Sequence, residues 1–201
     1  MRQARWQAQA QLSLRQAPAA LRDWLTTPGS LTAKLIAHSS SFRVQCLHQH
    51  IAPCLADEAL ALGMPAAGRR QLQMVLEREV LLRCDDTPVV FAHTVVPMSA
   101  TASDWPLFSA LGERSLGTTL FGDPLVQRSV LEFARLREGH PLAQRARTAL
   151  GLDEAPVSAP AQRLYARRCL YQRRRGTLLV TEVFLPAVLD LKQVIKNRSE
   201  Q

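Results

Sequence analysis

Apolar residues recur along this chain with a period of either two or close to four, and the two periods divide it into strands and helices. "SFRVQCLHQH" (41–50) alternates as a strand. "MVLEREVLLR" (74–83) does the same and leads through Asp85-Asp86 into "PVVFAHTVVP" (88–97), a hairpin pattern. "VQRSVLEFARL" (126–136) alternates weakly as one more strand, and two final strands flank an arginine-rich turn at 173–176. Helical spacing appears in "APAALRDWLTTPG" (17–29), with Pro18 near its first turn and a stop at Pro28-Gly29, and in "LTAKLIAH" behind the capping Ser30. It recurs in "SDWPLFSALGE" (103–113), in "SLGTTLF" (115–121) and briefly after Pro186. The stretch from 54 to 70 is looser, and 139–162, holding Pro141, Pro156 and Pro160, reads as a surface excursion. Tight turns between neighbouring strands imply antiparallel pairing, so the predicted class is α+β: a largely antiparallel sheet with helices packed on it.

Two residues break the pattern. In "LLVTEVFLP" (178–186), Glu182 shares a strand face with Leu178, Val180 and Phe184. In 74–83, Arg78 shares one with Met74, Leu76, Val80 and Leu82, while Glu77 and Glu79 give the opposite face its polar character. A buried carboxylate or guanidinium needs a partner. Either Arg78 and Glu182 pair with each other in the core, or both line a closed pocket for a small polar anion.

Composition narrows the classes. A chain of 201 residues that is 47% hydrophobic can build one domain with a real core, and no apolar run reaches membrane-spanning length. The N-terminal residues carry no acid before Asp23 and no uninterrupted apolar block, which argues against a secretory signal. The pattern reads as an N-terminal extension over 1–20, a domain over 21–188 and a tail over 189–201. Cys46, Cys54, Cys84 and Cys169 form no CxxC pair, so reduced thiols in the cytoplasm are expected. His48 and His50 fall on one strand face with Cys46 in a spacing that a metal site could use, although a second ligand cluster is missing. The net charge of +8 suggests nucleic acid, but "ARRCLYQRRRG" (166–176) also makes an ordinary solvated hairpin tip, so no nucleic-acid partner is expected.

The common catalytic signatures fail. There is no GxGxxG, GxSxG or HExxH, and "GERSLGTT" (112–119) has Thr118 where a phosphate loop needs Lys. What does stand out is an ordered set: "LEREVLLR", "TVVP" sixteen residues beyond Arg78, "LGERSLGTTLF" and "LLVTEVFLP". Over about Leu21 to Pro186 this set resembles the bacterial chorismate lyase (chorismate pyruvate-lyase) family. The resemblance implies a six-stranded antiparallel sheet with helices, two helix-turn-helix flaps over an internal ligand site, and a monomer. It also implies cleavage of chorismate to 4-hydroxybenzoate and pyruvate, the first committed step towards ubiquinone, without metal or organic cofactor. By resemblance Arg78 grips the ring carboxylate and Glu182 meets the 4-hydroxyl end. Leu116 contributes a main-chain contact, and Leu31 another where Met is familiar. His93 departs from the family pattern, in which Arg commonly precedes the "TVVP"-like segment, and 139–162 is longer than expected.

Such a reaction suits a spare site, because aromatisation supplies much of the driving force and the protein has mainly to orient and desolvate. Two rivals remain. An effector-binding domain of a bacterial transcription regulator shares the architecture and binds small acids without catalysis, though residues 1–20 are too short for its usual DNA-binding partner. A basic nucleic-acid module predicts a steep salt dependence and leaves Glu182 unexplained.

Overall fold

Seven antiparallel strands form one sheet in the computed structural model, which describes residues 4–8, 14–65, 72–152 and 163–192. They are β1 (Phe42–Pro53), β2 (Met74–Cys84), β3 (Thr87–Pro97), β4 (Val126–Arg128), β5 (Glu132–Leu136), β6 (Leu164–Arg173) and β7 (Gly176–Phe184). The order is β1-β2-β3-β7-β6, with β4 and β5 both lying against β6. The sheet is therefore six positions wide, as the resemblance implied, but its last position is shared by two short strands. The weak alternation of 126–136 is broken because Ser129 turns to bond Leu170 and Cys169 of β6 instead of continuing one ladder.

The helices are α1 (Ala19–Thr26), α2 (Leu31–Ala37), α3 (Ala56–Ala61), α4 (Leu116–Gly122) and α5 (Pro141–Ala149). Ser30 caps α2 as expected, its hydroxyl accepting from the Ala33 N–H. Three sequence expectations change. The looser stretch after residue 53 contains α3. Residues 103–113 form only turns and a short 3-10 helix at Phe108–Ala110, closed by Gly112 in a left-handed conformation (φ 52°). The proline-marked excursion from 139 begins as α5, which buries Leu142, Ala143 and Ala146; residues 153–162 lie outside the described set. Pro141 sits in the first turn, where a missing N–H costs nothing, so it opens the helix instead of marking a loop.

Each face of the sheet is covered. On the front, α1 and α2 pack through Leu21, Trp24, Leu25, Leu31 and Leu35 onto Val44, Val80, Leu82 and Phe184. Further along the same face Ala100, Trp105, Phe108, Leu111 and Leu120 pack onto Val96, Tyr171 and Leu178. On the back, α5 covers Leu81, Phe91, Ala166 and Val183. The N-terminal residues also reach the body: Leu14 and Ala17 are buried, Gln7 pairs with Phe133, and Trp6 donates to Asp57 (2.7 Å). The β6–β7 turn needs Gly176, since a Cβ there would lie 2.4 Å from Asp104 Cβ. No helix among the described residues is long and apolar enough to cross a membrane.

Candidate functional site

The two front-face cores leave a gap between them, and the pattern-breaking residues line it. Strand register places Val80, Ala92, Glu182 and Arg167 in one cross-strand row, and Arg78, Thr94, Val180 and Cys169 in the next. Arg78, Glu182, Leu31 and Leu116 all line the resulting cavity, together with Arg128, Arg167 and Tyr171. The four residues singled out from sequence are thus brought together.

Arg78 and Glu182 do not pair with each other. One strand, β3, lies between them, its register puts them in different rows, and each has other neighbours. Glu182, whose side chain is 19% exposed, accepts from Arg167 Nε at 2.5 Å. Arg167 is buried and also donates to the carbonyls of Leu25 and Thr27. It therefore ties the glutamate to the end of α1.

Arg78 is 2% exposed and forms no ion pair with a carboxylate among the described residues. It donates from one terminal nitrogen, Nη2, to the carbonyls of Gly112 (2.7 Å) and Arg114 (3.2 Å). Its buried Nε has no acceptor among the described residues. Burial pulls its pKa below the ordinary arginine range, with Cys46 opposing. A cation held this way lacks the anion that would normally accompany it.

The cavity's roof comes from α2 and α4, whose first residues are Leu31 and Leu116. First-turn N–H groups have no partner within their own helix, which makes these positions natural main-chain donors. Thr32 Oγ1 and Ser115 Oγ, 2.9 Å apart, join the two covers. Gly117 allows the approach, because a Cβ there would lie 3.0 Å from Thr32 Oγ1.

Three guanidinium groups (Arg78, Arg128, Arg167) face the cavity against one carboxylate, leaving two positive charges in excess. Tyr171 adds a phenol whose pKa is raised, first by burial and then by Cys169 and Glu182. Such a lining is suited in charge to a small anion.

Arg167 was missed by sequence reasoning, yet the signal was present. Arg173 opposes Gly176, so stepping six residues back along β6 and six forward along β7 sets Arg167 opposite Glu182. Arg128 carried no comparable mark.

Two readings of the back face also change. The polar face of β2 is not solvated: Glu77 and Glu79 are as buried as Arg78. Arg145 of α5 donates to both (3.0 and 2.8 Å), and His93, fully buried, contacts Glu79 (3.1 Å) and Glu58 of α3 (3.0 Å). Burial lowers the pKa of His93, but the two glutamates more than offset this and raise it to about 10. His93 therefore supplies a positive charge on this face, at the position where the resemblance leads one to expect Arg. Second, a β-bulge between Cys46 and His48 reverses the facing of β1, so His48 and His50 lie opposite Glu79 and Glu77, away from the cavity side that Cys46 shares with Val80.

The family model described as chorismate lyase matches residues 1–194. The chain is 50% identical over 165 residues to a probable chorismate pyruvate-lyase of Ralstonia nicotianae, covering 82% of this chain and 80% of that one. It is 48% identical to one of Cupriavidus pinatubonensis (86% and 84% covered) and 46% identical to one of Nitrosomonas eutropha (87% and 92% covered). Among solved structures it is similar to a GntR-family transcriptional regulator from Bacillus cereus, with TM-score 0.52 and 13% identity over 78% of this chain and 99% of the other. PhnF from Mycobacterium smegmatis gives TM-score 0.51 and 15% identity over 80% and 65%. These two likenesses concern the fold alone.

Proposed function

The chain belongs to the chorismate lyase family and is a lyase, and on that premise we propose that it converts chorismate to 4-hydroxybenzoate and pyruvate, the first committed step of ubiquinone biosynthesis, in the cytoplasm. The observation that carries this reading is Arg78: a buried cation with no carboxylate partner among the described residues, across one cavity from the Glu182–Arg167 pair. Chorismate is a dianion on a six-membered ring, and the cavity offers an excess of two positive charges.

In the proposed pose the free edge of Arg78 takes the ring carboxylate in a charge-assisted pair. Glu182 lies at the 4-hydroxyl end, held in orientation by Arg167. Loss of the C4 proton and cleavage of the C3–oxygen bond expel enolpyruvate and leave the ring aromatic. The enolpyruvate takes up a proton and becomes pyruvate. Glu182 receives the C4 proton, or holds the retained 4-hydroxyl while that proton leaves, and Leu31 and Leu116 steady the substrate through their main-chain N–H groups. With both covers joined at Thr32–Ser115, the site desolvates these charges and strengthens their interactions.

The test is to incubate purified protein with chorismate and follow 4-hydroxybenzoate and pyruvate. Equal amounts of both are expected. A folded protein that binds 4-hydroxybenzoate but leaves chorismate intact would make the cavity a sensor site.

A further inference from the structure

The histidine pair on the back of the sheet belongs to no part of that chemistry. His48 and His50 are two residues apart on β1, so their imidazoles share a face, and the bulge after Cys46 aims them at β2. Both converge on one atom: His48 Nε2 lies 3.2 Å and His50 Nε2 3.4 Å from Glu77 Oε1. Only the first contact is a hydrogen bond, so the second imidazole faces the carboxylate oxygen without one. The potential ligand atoms of all three residues lie within 4.8 Å of one another. Bonds of about 2.0–2.1 Å to a tetrahedral ion place neighbouring ligands about 3.3 Å apart, which the two nitrogen–oxygen distances match.

The surroundings favour a cation there. Glu77 presents Oε1 to the histidines while Arg145 takes Oε2, an outer contact of the kind that orients a ligating carboxylate. Glu58, Glu77 and Glu79 bring three carboxylates to the cluster against the two positive charges of Arg145 and His93, so the cluster keeps one negative charge in excess. Both imidazoles are partly exposed (35% and 53%), and Glu77 is buried behind them, so the group opens to solvent on one side only. Imidazole nitrogen with carboxylate oxygen is a donor set for late first-row metals.

We propose that His48, His50 and Glu77 form a binding site for a divalent transition-metal ion of the zinc type, which ties edge strand β1 to β2. The fourth position is left to water or to Glu79 Oε2, itself 3.5 Å from His48 Nε2. The site is on the sheet face opposite the cavity, so its occupancy acts on stability and not on turnover.

The test uses the full chain without an affinity tag and zinc chloride as the probe. Calorimetry is expected to show one ion bound per chain, with a rise in melting temperature, and cobalt should give a visible absorption band. His48→Ala and His50→Ala should each weaken zinc binding by more than the roughly 10–100-fold that loss of an outer partner alone costs, with unchanged circular dichroism. A chain that takes up no zinc saturably below millimolar concentration would overturn the proposal. So would zinc binding that persists in the double variant His48→Ala/His50→Ala, or that disappears instead in Cys54→Ser.

Discussion

Glu77, Arg78 and Glu79 are consecutive in β2 and all buried, yet the two faces of the sheet treat their charges differently. On the back, Glu77 and Glu79 meet Arg145 and His93 at 2.8–3.1 Å, and every charge has a protein partner. On the front, Arg78 has two carbonyls and an unserved Nε. Ion clusters of similar burial thus serve two purposes: one ties the sheet to α3 and α5 and keeps a single surplus negative charge beside His48 and His50, and the other leaves a cation without a counter-ion beside a cavity. A buried charge indicates a ligand site where the protein leaves it unbalanced, and burial alone does not distinguish the two cases.

The largest expected effect breaks the closed side. His93→Ala strips buried Glu58 of its cation and leaves Glu79 with Arg145 alone, and should cost about 3–5 kcal/mol, read as a fall in melting temperature. Its folded fraction should turn over chorismate at the normal rate. The same cluster predicts a pH dependence. The pKa of His93 is about 10 in the fold against 6.5 ordinarily, so its stabilising contribution is complete below 6.5 and is lost as pH rises through 10. The melting temperature should decline across that window, and His93→Gln should flatten the decline. An equally steep decline in His93→Gln would place the cause elsewhere.

Arg78→Ala tests the open side and should behave oppositely. Removal of an unbalanced buried cation leaves melting unchanged or higher. Binding of 4-hydroxybenzoate should weaken by about 2–4 kcal/mol, because a charge-assisted pair is lost. Titration calorimetry showing unchanged affinity would remove Arg78 from the site.

Glu182→Gln should lower turnover on the order of 10²-fold if the carboxylate handles the C4 proton. Because Glu182 is the partner of Arg167, stability should fall too, though only by about 1 kcal/mol, since Arg167 keeps the carbonyls of Leu25 and Thr27. Melting and rate measured on one preparation separate the two effects.

The smallest change concerns the roof. Thr32→Val removes the bond to Ser115 and should cost about 1 kcal/mol or less. Faster product release in stopped flow, with little change in melting, would identify that bond as part of a closing cover. Unchanged release would leave it a packing detail.

Much of this was legible before any fold was drawn. Alternation located β2, β3 and β7, turn residues joined β2 to β3, and the same period singled out Arg78 and Glu182 as misfits on apolar faces. Hairpin counting could also have paired Arg167 with Glu182, because the register on either side of a two-residue turn follows from the turn itself. The helix beginning at Pro141 and the bulge after Cys46 were hidden for a different reason. A proline reads the same at a helix start as in a loop, and one extra residue in a strand leaves the local pattern intact while reversing everything beyond it.

By itself, then, the sequence determined the period of each element, the turns, the family, and the two residues that do not suit their faces. The tertiary structure alone decided which charges are balanced. The polar face of β2 gave no sign that Glu77 is buried until Arg145, 68 residues away, was packed over it, and whether Arg78 pairs with Glu182 stayed open until the register across β3 set them in separate rows. The physical reason is range. Side-chain alternation is a property of neighbouring backbone units, whereas neutralisation of a buried charge depends on whichever distant element the packed core brings within hydrogen-bond reach.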